Sequence, residues 1–340
     1  MTISIDPDIS VLVACTRPEL IEGILRALVS ESDSVSCELL VGGSVGNLCL
    51  SSNKVAVTLV ESDPAQLNQT RELLVGMARG PVLAFLDDDA VPQPGWLRAA
   101  ASLPAGSREI WTGPETPTRS TPGALLAAQV AASILAEGYW GHIGVGDRQV
   151  RWYEVPFCNL ILRRELLEQV GMPDADMVWD LDDFDFCRRA EDQGATFRTR
   201  QDLRIRHDRY PDRISQWLTR KMRERHRTGS KLVRYPELYL QIPSVVLAAA
   251  LPWVGLAALA STGKHRWHFA SACGATYLLL VANEAHNHKL GKPEALQFGV
   301  TLIALHLTST AALQVGIASG LADKARGLPD KNAPTRLGRI

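Results

Sequence analysis

Five apolar or small residues, Val82–Leu86, run without interruption into Asp87, Asp88 and Asp89. A short unbroken apolar run is the pattern of a strand covered on both faces, as in a parallel sheet. Open α/β sheets gather their ligands at the carboxyl ends of such strands. Three carboxylates placed there repel one another unless a cation or donor groups neutralise them. A solvated acidic loop is the plain alternative, but the buried strand leading in favours a metal or phosphate–metal site.

The rest of the N-terminal half repeats the pattern. Ser10–Cys15 reads as a second buried strand, and Cys37–Val41 and Val55–Val60 as further strands. Between them, Glu19–Val29 is an amphipathic helix with Leu20, Ile21, Ile24, Leu25 and Leu28 on one side. Ala65–Ala78 is helical by period, with Leu67, Leu73, Leu74 and Met77 apolar and Arg71 among them. Strand–helix alternation with short turns predicts a mostly parallel α/β sheet whose nucleotide end is the set of loops after the strands. Trp96–Ala101 and Gly123–Glu137 are expected helices, and Gly138–Gly146 a glycine- and aromatic-rich loop over a cleft.

Phe157–Arg164 reads as a strand ending in two bases, followed by a short helix, Glu165–Val170, closed by Gly171. A second acidic cluster then interleaves Asp180, Asp182, Asp183 and Asp185 with Trp179, Leu181, Phe184 and Phe186. A helix beginning near Asp182 would hold these acids in its first turn, where the dipole favours them. Ordinary N-terminal acids would look the same. The position of the cluster, about a hundred residues after the first, favours a catalytic carboxylate.

With 36 basic and 37 acidic residues in 340, overall charge names no partner. The distribution is informative: Arg204–Arg234 holds eleven Lys/Arg against three Asp/Glu, interspersed with Ile214, Trp217, Leu218 and Met222. Such a basic amphipathic stretch suits an anionic membrane surface. Nucleic-acid binding is the alternative, but an apolar region follows at once, so no nucleic-acid partner is expected. Ile242–Ala260 is uncharged over a length that spans a bilayer. Phe298–Leu321 is again apolar, and the shorter Trp267–Ala282 is the expected irregular or re-entrant segment. The bases before the first span place the α/β part in the cytoplasm, at the inner or plasma membrane. A buried helical core is the alternative to spans. The expected division is 1–235, 236–322 with two or three membrane helices, and a disordered basic tail from 323. No signal peptide is expected, and the six cysteines read as reduced thiols.

Taken in order, these pieces resemble the family 2 glycosyltransferases of GT-A fold, over roughly Ser10–Pro236. SVLVACTRPELIEGILRAL resembles the family's opening strand, turn and helix, and LNQTRELL its "ARN" segment. FLDDDAVPQPGWL resembles the metal-binding DXD. NLILRRELLEQVGMPD and DLDDFDFCRRAEDQG resemble the acceptor-side blocks. The later R-x-H-D, the basic RERHRTGSK and the membrane helices resemble exopolysaccharide transferases that act on lipid-linked sugars. The resemblance implies a Rossmann-like GT-A fold followed by C-terminal membrane helices, and a membrane-anchored, inverting hexosyltransferase. It would take a nucleotide-sugar donor, Mn2+ or Mg2+, and a lipid-linked or polyprenyl-type acceptor at the cytoplasmic face.

Residue by residue, the resemblance implies Asp87, Asp89 and His207 at the metal. Thr16, Arg17, Arg71, Asp87 and Asp88 would meet the donor, with one or more of Arg223, Arg225 and Arg227 on its phosphates. Asp183 would be the general base, with Asp182 as its neighbour. The family usually carries an acid after its second strand; here the turn is Val41-Gly42-Gly43-Ser44. Two other outcomes stay open: a degenerate membrane-bound subunit, and a nucleotidyltransferase on a similar scaffold.

Overall fold

A computed structural model describes residues 6–46, 48–137, 146–173, 181–260 and 266–328. It divides into two compact units. One comprises the described residues of Met1–Thr118 and Ile143–Asp208, the other those of Arg119–His142 and Arg209–Pro329.

The first unit is built on an eight-stranded sheet in the order β3-β2-β1-β4-β9-β6-β10-β8. Its first four strands, β1 (Ile9–Cys15), β2 (Cys37–Gly43), β3 (Ala56–Glu61) and β4 (Val82–Asp87), are parallel. Each of the unbroken apolar runs lies where the sequence places it. β6 (Glu109–Thr112) and β10 (Thr196–Thr199) also pair in parallel. β9 (Asn159–Arg163) runs antiparallel to both β4 and β6, and β8 (Arg148–Val150) antiparallel to β10. The sheet is thus mostly parallel. A second, three-stranded sheet sets β11 (Ile205–His207) between β5 (Ala90–Pro92) and β7 (Glu115–Pro117). Of these short strands, β11 lies within the stretch read as the basic segment.

α1 (Ile21–Val29) buries Ile21, Ile24, Leu25 and Leu28, as its period requires. α2 (Leu67–Met77) departs from its apolar pattern: Leu73 and Met77 are exposed, while Asn68, Thr70 and Arg71 are buried. The inward face of α2 joins Leu74, buried against Gly42, to Asn68, Thr70 and Arg71, whose guanidinium finds an acid inside the unit. α2 also lies tight on β2, since a Cβ at Gly42 would stand 2.7 Å from Thr70 Cγ2. Gly43, at φ +123°, abuts the Cys15 carbonyl and has no room for a side chain. α3 (Trp96–Ala101) and α6 (Arg164–Val170) match their expected bounds within a residue, and α7 (Leu181–Asp192) starts one residue before Asp182. Trp179, Asp180 and most of the Gly138–Gly146 loop lie outside the described residues.

The second unit is helical. The helix expected over Gly123–Glu137 is two, α4 (Pro122–Ala131) and α5 (Ile134–Glu137). They group with α8 (Ile214–Arg234), α9 (Pro236–Tyr239), α10 (Pro243–Ala260), α11 (Arg266–Asn287) and α12 (Lys292–Ala325). α11 is a regular helix and longer than the segment expected there, and α12 runs past position 323, where disorder was expected. Ala124, Ala127, Val130, Trp217, Phe298, Leu302 and Leu305 form this unit's core.

α8 lies along α12 at backbone contact. A Cβ at Gly229 would overlap the Leu313 carbonyl, one at Gly316 would overlap the His226 carbonyl, and one at Gly320 would stand 2.9 Å from the Ser230 carbonyl oxygen. Among the described residues only α12 is long and apolar enough to cross a membrane by length and composition.

Candidate active site

β4 delivers Asp87, Asp88 and Asp89 to the carboxyl edge of the main sheet, next to the turn that ends β1. The three have different partners. Asp88 Oδ2 accepts from the Thr16 amide (2.7 Å), the Thr16 hydroxyl (2.9 Å) and the Arg17 amide (2.9 Å). Its Oδ1 accepts from Arg17 Nε at 3.0 Å and also from Arg17 Nη2. The chain itself therefore engages both Asp88 oxygens. Thr16, Arg17 and Asp88, expected at the donor, hold the β1 turn against β4 in this structure.

Asp89 is buried between two cations. Arg17 Nη2 lies 3.0 Å from Oδ2, and His207 Nε2 lies 3.1 Å from Oδ1. Burial alone would raise its pKa, but the bond and charge of His207, with Arg17, hold it down to about 2. Asp87 is pushed the other way. Enclosure by the protein and the like charges of Asp89 and Asp88 raise its pKa against the pull of His207 and Arg71. Its side chain keeps 41% of its surface open, so it is the acid of the three that solvent reaches.

His207 comes from β11, and the residue that fixes it is Glu115 on β7. Glu115 Oε2 lies 3.0 Å from His207 Nδ1, and a carboxylate can only accept, so Nδ1 carries the proton. That leaves Nε2 facing Asp89 and, at 3.9 Å, Asp87. Burial opposes charging this ring, yet Glu115, Cys158 and Asp89 outweigh it and hold the His207 pKa well above its ordinary value. Two carboxylates beside an imidazole Nε2 whose Nδ1–H is held by a third carboxylate is a donor set that fits Mn2+ or Mg2+. Asn159, fully buried, sets this arrangement. Its amide donates to the Leu203 carbonyl (2.7 Å) and accepts from Trp96 Nε1 (3.0 Å), pinning the start of β9 to the approach to β11.

The second acidic cluster reaches the same region through Arg71. Its Nη1 donates to Asp182 Oδ2 (2.8 Å) and Asn68 Oδ1 (2.9 Å), its Nη2 lies 3.9 Å from Asp87, and its guanidinium stacks over Phe157 at 4.5 Å. Burial would lower the Arg71 pKa; Asp182, Asp87 and Asp183 more than offset that. Asp182 is thus an ion-pair partner inside the protein. Asp183 is half-buried, and its Oδ1 accepts the Phe157 amide at 3.1 Å.

The structure brings Thr16, Arg17, Arg71, Asp87, Asp88, Asp89, Asp182, Asp183 and His207, all expected at the site, into one unit. It adds Glu115 and Cys158, which no motif announced. Glu115 stands in a Pro/Thr-rich stretch, and its one sequence signal is that it is the lone acid there. Arg164, in the stretch that resembles an acceptor-side block, donates its guanidinium to the Ala78 and Gly80 carbonyls (2.7 and 3.0 Å), capping the end of α2. Arg223, Arg225 and Arg227 lie on α8, in the other unit. Where the Gly42-Gly43 turn lacks an acid, Glu61 at the end of β3 places Oε2 3.1 Å from the Val45 amide.

This is the fold class of the GT-A glycosyltransferases. No protein-family model matches the chain, and no curated protein does. Among solved structures, a mannosyltransferase from Pyrobaculum calidifontis, in complex with GDP-Man and Mn2+, matches 94% of this chain and 89% of its own at 17% identity and TM-score 0.54. At that identity the likeness shows the fold alone. TarS from S. aureus (11% identity, 94% of this chain and 91% of its own, TM-score 0.43) overlaps more loosely. So does GalNAc-T7 with UDP, GalNAc and Mn2+ (10%, 63% and 47%, TM-score 0.40).

Proposed function

We propose that this chain is a metal-dependent, inverting glycosyltransferase that moves a hexose from a nucleotide-sugar donor to a lipid-linked acceptor at the cytoplasmic face of a membrane. The observation that carries the reading is the convergence at the end of β4: Asp87, Asp89 and a His207 oriented by Glu115, on a GT-A fold. Asp87, Asp89 and His207 Nε2 would hold Mn2+ or Mg2+. Bound there, the ion supplies Lewis acidity to the departing nucleoside diphosphate.

The remaining chemistry belongs to side chains. Arg17 is nearly half exposed and so placed to turn from the acids toward a phosphate. Asp183 is the general base. As the acceptor oxygen bonds to the anomeric carbon and the carbon–oxygen bond to the diphosphate breaks, the acceptor's proton passes to the Asp183 carboxylate. Displacement from the opposite face inverts the anomeric centre. Asp182 serves as a positioning residue, since its charge is matched by Arg71 and not offered to substrate.

Membrane attachment is supported by the second unit. Leu247, Trp253, Val254 and Leu256 on α10, Trp267, Leu278 and Leu279 on α11, and Leu296, Val300, Leu307 and Val315 on α12 are all exposed. Apolar surface on that scale marks an interaction with lipid or protein, and the basic α8 beside α12 suits anionic headgroups.

A panel of nucleotide sugars with Mn2+, scored by nucleotide release in membranes, tests the proposal. Asp89→Ala and Asp183→Asn should abolish transfer without loss of fold. Transfer retained by Asp183→Asn would remove the base assignment. No stabilisation of the wild-type chain by any nucleoside diphosphate with Mn2+ would favour the degenerate subunit.

A further inference from the structure

Cys158 precedes Asn159 at the start of β9 and is buried with its Sγ turned to the polar cluster, 3.5 Å from Glu115 Oε1. A thiol packed only for its volume has no need to face a carboxylate. Its sulfur, one Asp87 oxygen and one His207 nitrogen all lie within 4.8 Å of one another, close enough for a single ion to meet all three. Asp87 and His207 also belong to the oxygen-rich set that includes Asp89. Two overlapping donor sets therefore share two ligands. One is hard, Asp87, Asp89 and His207; the other is softer, Asp87, Cys158 and His207.

We propose that Asp87, Cys158 and His207 form a capture site for a thiophilic divalent cation, such as Zn2+, that excludes Mn2+ from the same cleft. The inference rests on the proposed metal site, since it shares Asp87 and His207 with it. Thiolate ligands select Zn2+ and its neighbours, whereas Mn2+ prefers carboxylate and water oxygen. Three protein ligands of carboxylate, thiolate and imidazole type, with a fourth position open on the exposed side of Asp87, suit a tetrahedral ion. Binding replaces the sulfur–hydrogen bond with a sulfur–metal bond and releases that proton to solvent, so the balance needs no oxidant or further reactant. Glu115, between Cys158 and His207, holds the imidazole with Nε2 turned inward in both modes. The same cleft is then activated by one ion and closed by another.

Zn2+ binds most N/O sites more tightly than Mn2+, so displacement alone proves nothing. The discriminating readout is the sulfur. The full chain is purified metal-free in a Cys49→Ser/Cys273→Ser background, which removes the two exposed thiols. It is titrated with Co2+ and read in the near ultraviolet, where a thiolate–Co2+ charge-transfer band appears. Mn2+ binding is followed separately by electron paramagnetic resonance. The expected result is a band at one equivalent of Co2+ that is lost in Cys158→Ser. Zn2+ affinity should fall at least about tenfold in that variant, the low end for disturbing a ligand shell, while Mn2+ affinity stays within about threefold.

A band that survives Cys158→Ser, or no band in the parent chain, overturns the inference. If Cys158→Ser and Cys158→Ala fail to fold, X-ray absorption of the Zn2+-loaded parent decides. A sulfur shell at about 2.3 Å supports the site, and a shell of nitrogen and oxygen alone removes it. Failure to bind Mn2+ at all would instead fault the proposed metal site, and the two failures are told apart by the two spectra.

Discussion

Arg71→Met is the sharpest test of how the two acidic clusters are joined. Arg71 and Asp182 are each about 9% exposed at the side chain and lie 2.8 Å apart, so solvent does little to screen their pairing. Removing the guanidinium while keeping most of its volume leaves the Asp182 carboxylate inside the protein without its cation. Breaking a buried pair in this way costs about 3–5 kcal/mol, and the lost stacking on Phe157 adds roughly 0.5–2 kcal/mol.

For a unit of this size a total loss of about 3.5–7 kcal/mol lowers the thermal midpoint by roughly 7–28 °C. Arg71→Met/Asp182→Asn should recover most of the loss, because the uncompensated charge is gone. Only an amide that must find partners is left, at about 1–3 kcal/mol. Asp182→Asn alone should cost less than Arg71→Met, since Arg71 still has Asn68 and Asp87. The assay is thermal and denaturant unfolding of all four proteins as a double-mutant cycle. A stability for Arg71→Met within about 1 kcal/mol of the parent would refute the buried-pair reasoning. So would a double variant as unstable as Arg71→Met.

Three further outcomes follow from particular contacts. Glu115→Ala should leave the fold intact and weaken Mn2+ binding by roughly 10–100-fold, because His207 Nδ1–H loses the acceptor that fixes its orientation; calorimetric titration measures it. Mn2+ affinity should rise as pH rises through the acidic and neutral range. The folded pKa of His207 is raised, so the ion competes with a proton there. In the metal-free chain the same shift makes the stabilisation by His207 complete below its ordinary value of 6.5 and lost above the folded one, while that from Asp89 is present above 3.8 and lost as pH falls toward about 2. Gly229→Ala should destabilise the second unit by about 1–3 kcal/mol, because its Cβ meets the α12 backbone. Gly76→Ala on α2, with open space around it, should instead gain about 0.5–1 kcal/mol. Melting curves of the two variants make the comparison.

Several of these residues could be located before any coordinates. The runs Ile9–Cys15, Cys37–Gly43 and Val82–Asp87 are legible because a strand covered on both faces leaves an unbroken apolar signature. The acids at the end of the last run inherit their place from it. α7 is legible from acids followed by Phe186 and Arg189. α2 is legible as a helix from the period of Ala65–Ala78, but its buried face is not, since Leu73 and Met77 suggested an apolar face and the helix turned Arg71 inward. The short strands β5, β7 and β11 have three residues each, too few for any period to register.

Local periodicity alone sets the order of elements and which acids stand at strand ends. The tertiary structure decided what each acid does. Asp87, Asp88 and Asp89 are consecutive and chemically alike, yet one faces solvent, one is saturated by the β1 turn and one sits between Arg17 and His207. It likewise separated Asp182, paired with Arg71, from Asp183. Glu115 and Cys158 enter the site from segments more than forty residues apart. Pairing of β7 with β11 brings Glu115 to His207, and Cys158 joins them from the start of β9 in the first sheet; pairing between distant short strands leaves no mark on the sequence around either one.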